Sequence, residues 1–169
     1  MMKSLLKISV YFLAVITVFV FEIFFLSLPK PFSTVLLPIA VAAVFLPRRP
    51  DFAVFVLVGS GLLWEFYSAA PFFALFFSSV SAALFGRLTA RFLVHAETVL
   101  GRVILSLIMS IFFWFALGLI RYSFGEEVFG FDYISSTALL SVSFTTVFSF
   151  VLALFFRHKV ERKRFGFFS

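Results

Sequence analysis

From Ile8 to Leu28 the chain carries a single charged side chain, Glu22, in an otherwise unbroken apolar run. At 1.5 Å per residue such a run makes a helix of about 30 Å, the thickness of a bilayer's hydrocarbon core. Further apolar runs follow at about 32–46, 52–67, 71–94, 103–120 and 134–156. A water-soluble fold has too little surface to hide them. With 63% hydrophobic residues, 13% charged and 30 phenylalanines, too few polar atoms remain to cover a soluble domain.

The runs are continuous instead of alternating at period two, so they predict helices and not the strands of a barrel. The expectation is an all-α integral membrane protein, a compact bundle of six transmembrane helices in one domain, 1–169. The first run exceeds the length of a signal-peptide core. It ends Leu28-Pro29-Lys30-Pro31, a poor cleavage site, and is read as a retained helix. The second run is short, with Pro31 and Pro47 at its ends and Pro38 inside it. It is expected to be kinked, tilted or incomplete, which leaves a five-span arrangement open. Ser68-Ala69-Ala70-Pro71 breaks the third run from the fourth, with Pro71 suited to a first helical turn and Ser68 a nearby cap.

The net charge of +6 resembles a nucleic-acid footprint, but its placement argues otherwise. With six spans, every lysine and arginine except Lys30 and Arg121 falls on the side that holds both termini. Positive residues gather on the cytoplasmic side of membrane proteins, so both termini are expected in the cytoplasm of a bacterial-type plasma membrane. The charge marks topology, and nucleic acid is not an expected partner. The basic tail from Arg157 to Arg164 is read the same way, with anionic lipid headgroups as a lesser alternative.

Charged groups inside apolar spans are the first candidates for function, because placing one near the bilayer centre costs about 2.5–3.5 kcal/mol. Glu22 and Glu65 qualify, and Arg121 ends the fifth span. Either carboxylate pairs with Arg121 to line an outward-facing site, or each reaches the headgroup layer and is hydrated there. Ser78, Ala82 and Gly86 recur every four residues and so share a face of the fourth helix. Such small residues let helix backbones approach closely, and Gly59, Ser60 and Gly61 on the third helix offer a counterpart. Cysteine is absent, and His95 and His158 lack a second ligand at metal-binding spacing. Gly59-Ser60-Gly61 is not a nucleophile elbow, and no acid–base pair emerges. No enzyme, metal or cofactor is expected.

The stretch from Pro50 to Arg91 resembles the MreD family, small membrane subunits of the bacterial cell-elongation machinery. The resemblance rests on Gly61-Leu62-Leu63-Trp64-Glu65-Phe66-Tyr67-Ser68-Ala69-Ala70-Pro71, where a span ends in an acidic residue and a serine and a proline opens the next. The basic turn Pro47-Arg48-Arg49-Pro50-Asp51 is similar to the family's second cytoplasmic connection. Glu65 stands where the family usually has Asp, and Phe73 where it often has glycine, two residues after the proline. The resemblance implies a six-helix fold like the substrate-binding subunits of vitamin transporters. It further implies a scaffold that binds the single-pass protein MreC and the peptidoglycan synthases. Glu65, Ser68 and Pro71 would then shape the hairpin between spans three and four, Glu65 meeting backbone donors or Arg121. The competing reading is a substrate-binding subunit of a small-molecule uptake transporter, using Glu22, Glu65 and Arg121 for a polar ligand. A closed polar cavity would favour the transporter, and a broad apolar face the scaffold.

Overall fold

The computed structural model describes the backbone of residues 2–28, 36–68, 73–93, 97–125 and 131–165. Side chains are described over 6–28, 36–68, 73–93, 97–125 and 136–156. The expected features at Lys30, Pro31, Pro71, His95 and the side chains of the basic tail lie outside these residues. Six helices are present: α1 (Met2–Leu26), α2 (Leu37–Phe45), α3 (Pro50–Tyr67), α4 (Ala74–Phe92), α5 (Val99–Ser123) and α6 (Phe131–Phe165). Strands are absent among the described residues.

Among them, four helices are long and apolar enough to cross a membrane, over Leu6–Leu26, Pro50–Tyr67, Val99–Ser123 and Ser136–Phe156. Of the six expected spans, those at α2 and α4 are not among these four. With 19 residues α4 reaches about 28 Å, but small residues and the arginines Arg87 and Arg91 reduce its hydropathy. At nine residues α2 reaches only about 14 Å, half the hydrocarbon thickness. Pro38 does not kink it. It sits in the first turn, where its missing N–H leaves no bond unmade.

Neighbouring contacts fix the direction of every helix. Tyr11 packs on Phe52 and Phe55, and Phe19 on Trp64 and Tyr67, so α1 and α3 run parallel. Between them in the chain, α2 runs the opposite way. Its start lies at mid-depth: the Leu36 amide donates to Thr145 Oγ1, halfway along the apolar part of α6, at 2.9 Å. Its end reaches the end of α6, where Phe45 meets Phe156 with ring centroids 5.0 Å apart. The start of α1, the α2–α3 and α4–α5 turns and the far part of α6 thus share one end of the bundle. Arg48 and Glu97 tie the two turns together there at 3.3 Å.

Small side chains share the interior with larger ones such as Ile39, Leu57, Leu105 and Met109. Ala40, Ala42, Ala43, Ala53, Ala74, Ala82 and Ala83 are buried, while Phe12, Phe66, Phe92, Phe115 and Phe155 stand outside. That distribution reverses the soluble pattern and is the one expected where the surrounding solvent is lipid. Hydroxyls do much of the interior bonding. Ser149 Oγ lies 2.6 Å from Ser106 Oγ, joining α6 to α5. The spacing Ser141, Thr145, Ser149 on α6, with Ser106 and Ser110 on α5, is a four-residue hydroxyl stripe that sequence reading overlooked.

The small-residue stripe on α4 behaves differently from its expected partnership. Ser78, Ala82 and Gly86 are all buried, but a Cβ at Gly86 would meet Met109 of α5 at 2.7 Å. Close approach to α3 runs through Gly61, whose added Cβ would stand 2.7 Å from Ser79 Cβ and 3.2 Å from the Leu75 carbonyl. Gly59 faces α1 instead, 3.0 Å from a Val15 methyl. The stripe thus serves α4–α5 packing, and α3 meets the adjacent face.

Met109 is flexible and can yield; a serine β-carbon and a backbone carbonyl cannot. Gly61→Ala is therefore expected to destabilise the protein by about 1–3 kcal/mol, the range for overpacking a tight contact. Gly118, with nothing within 4 Å of an added Cβ, should accept alanine with no loss and a small gain in helix propensity. Thermal unfolding of both variants in one detergent reads the contrast.

Candidate functional site

Glu65 lies in the last turn of α3, half-buried and facing the start of α4. A helix begins with amides that no carbonyl of its own can meet, and in apolar surroundings water does not supply the acceptor. Glu65 Oε2 accepts from the Leu75 amide at 3.1 Å and from the Phe76 amide at 3.2 Å. The negative charge also suits the positive end of the α4 dipole. One carboxylate so closes the α3–α4 hairpin from ten residues upstream. Ser68 is the residue at which α3 ends: its backbone is extended and its amide donates to the Trp64 carbonyl.

Between them and α4 the chain makes an unusual turn at Phe73, whose φ of 59° is left-handed. Such a conformation costs a residue with a Cβ about 1–2 kcal/mol and is routine for glycine. Phe73 caps α4 in this strained state, with its ring against Phe76 and Phe77.

Glu22, expected either to pair with Arg121 or to reach hydrated headgroups, does neither. It is 5% exposed, and the Trp64 indole nitrogen donates to its Oε2. Arg121 stands in the last turn of α5 at the same end of the bundle, but both carboxylates are held by other groups. The physical reason is local: α3 places an indole donor beside Glu22, and α4 places two free amides beside Glu65.

Glu22 and Trp64 form part of the wall of a cavity of about 280 Å³ at the end of the bundle opposite the Arg48–Glu97 pair. Every helix contributes, with Leu36 and Pro38 from the α2 start, Gly61 from α3, Ser79 from α4, Trp114 from α5 and Ser141 from α6. Gly61 is therefore both a packing residue and a wall residue. Most of the lining is apolar. Sequence reading singled out Glu22 and Gly61 here but missed Trp114, Ser79, Thr137 and Ser141, which no spacing links to Glu22. At the other end, Arg102, expected in a connection, lies in the first turn of α5 and is 4% exposed.

Comparison with family models, with curated proteins and with solved structures finds no match to this chain.

The left-handed turn gives a direct test. Phe73→Gly and Phe73→Ala both remove the ring, so their difference isolates the backbone. Phe73→Gly is expected to be the more stable of the two by about 1 kcal/mol in detergent unfolding, the reverse of the usual order at a helical site.

Proposed function

We propose that this chain is a non-catalytic membrane scaffold of the MreD type, part of a bacterial cell-elongation machinery. On this reading it crosses the plasma membrane six times, with both termini cytoplasmic. The observation that carries the reading is the backbone at Phe73. At this position the resembled family often has glycine, and here the chain adopts the left-handed conformation that favours glycine. The hairpin role that the resemblance gives to the acidic residue has support as well, since Glu65 bonds the α4 backbone.

A scaffold holds partners through surface, not chemistry. The outward side of α1 offers Leu6, Leu13, Val20, Phe21 and Phe24 as a continuous apolar band along the helix. A single-pass helix of the MreC type would pack along such a face within the bilayer, and its extramembrane part would reach the peptidoglycan synthases. Glu22 and Glu65 are held inside the bundle on this reading and have no reaction to perform.

Affinity purification of the tagged chain from native membranes after mild crosslinking tests the proposal. It should recover an MreC-like single-pass protein, with or without the wall synthases, as identified by mass spectrometry. Recovery of a transport ATPase with its membrane coupler, and no wall-elongation component, would overturn it.

A further inference from the structure

Glu22, in the wall of the cavity, is almost wholly buried; among the described residues its one hydrogen bond comes from the Trp64 indole, and no lysine or arginine lines the cavity. Buried carboxylates are matched by a cation or by a proton, since an isolated charge in apolar surroundings is strongly disfavoured. Among the described residues, the Trp114 indole nitrogen and the Ser141 hydroxyl, on two other lining residues, have no hydrogen-bond partner.

We propose that this cavity binds a small organic cation: a primary amine or ammonium group on an apolar body about the size of one substituted aromatic ring. The ammonium pairs with Glu22. The indoles of Trp64 and Trp114 lie in the same wall, and Leu57, Leu75 and Phe113 take the apolar body. A dry cavity of about 150 Å³ takes benzene, so about 280 Å³ has room for a single ring with a short substituent. A mostly apolar wall with a few placed polar groups is the usual make-up of such a site. The site stands independently of the scaffold role, which uses the outer faces of the helices.

The protein carries its own reporter. Its two tryptophans are Trp64 and Trp114, and both line the cavity, so intrinsic fluorescence reads this site alone. The experiment titrates the full chain, in nanodiscs of zwitterionic lipid at pH 7, with three heavy-atom quenchers of equal size and different charge. These are 4-bromobenzylamine, 4-bromobenzyl alcohol and 4-bromobenzoate. The amine should quench saturably, at a concentration at least tenfold below the alcohol, and the benzoate should not saturate. In Glu22→Gln the gap between amine and alcohol should close. Thr137→Leu, which narrows the cavity from its half-exposed wall, should weaken the amine at least tenfold. Equal or unsaturable quenching by all three probes would overturn the proposal, as would tighter binding of the neutral alcohol, the signature of a site for apolar chains. A gap that persists in Glu22→Gln would overturn the role given to that carboxylate. The three-probe comparison on the unsubstituted chain decides the charge preference even if a variant does not fold.

Discussion

The bundle depends on how the start of α4 is satisfied. A helix that begins next to lipid has unmet amides, and each one left bare in an apolar medium is expensive. Glu65 meets two of them from the neighbouring helix, and that choice sets much else. It fixes α4 antiparallel to α3 at short range, which brings Gly61 against Ser79. It requires the chain to turn back within a few residues, which places Phe73 in a left-handed conformation. It also makes the α3–α4 hairpin a firm wall for the cavity that Glu22 lines from the other side. The small residues of α4 then let α5 approach through Gly86 and Met109, and the hydroxyls of Ser106 and Ser149 bring in α6.

The charged groups held inside this protein gather at its two ends, with the hydroxyls of α5 and α6 between them. At the cavity end, carboxylates are held by neutral donors: backbone amides for Glu65 and an indole for Glu22. At the other end, arginines gather in the turns, with Arg48 on Glu97 and Arg102 tucked into the first turn of α5. Between them alanines and serines are interleaved with larger side chains such as Ile39, Leu57, Leu105 and Met109. Close backbone packing of this kind holds helices together where lipid removes the hydrophobic drive between them. A scaffold reading and a ligand cavity are compatible in such a design, because outer faces and inner wall use different residues.

Much of the fold was legible because continuous apolar runs have one physical outlet. The helical class and the approximate limits of α1, α3 and α5 follow from run length, whereas Ser68, expected to cap the fourth helix, ends α3, and Phe73 stands at the start of α4. The second segment was legible only as a doubt. Run length cannot show that α2 begins at mid-depth, which is decided by a bond from Leu36 to Thr145 across 109 residues of sequence. The candidate site was less legible. Both carboxylates stood out as charges in spans, but their partners are a backbone and an indole, groups that carry no charge pattern to pair with. The nearest formal opposite charge, Arg121, was therefore the wrong guess. Trp114 and Ser141 gave no signal at all, because an indole and a lone hydroxyl in a span are ordinary packing residues until the fold brings them to one cavity.

Amide hydrogen exchange at Leu75 and Phe76 in nanodiscs tests the central claim most directly, because those amides are the ones that Glu65 is said to hold. In the unsubstituted chain both should be protected, unlike the first amides of a helix open to water. In Glu65→Ala their exchange should quicken at least tenfold, which corresponds to about 1.4 kcal/mol or more of lost bonding. The middle of α4, around Ala82, should stay protected in both. Unchanged exchange at Leu75 and Phe76 in Glu65→Ala would contradict the account, since another group would then be holding the start of α4.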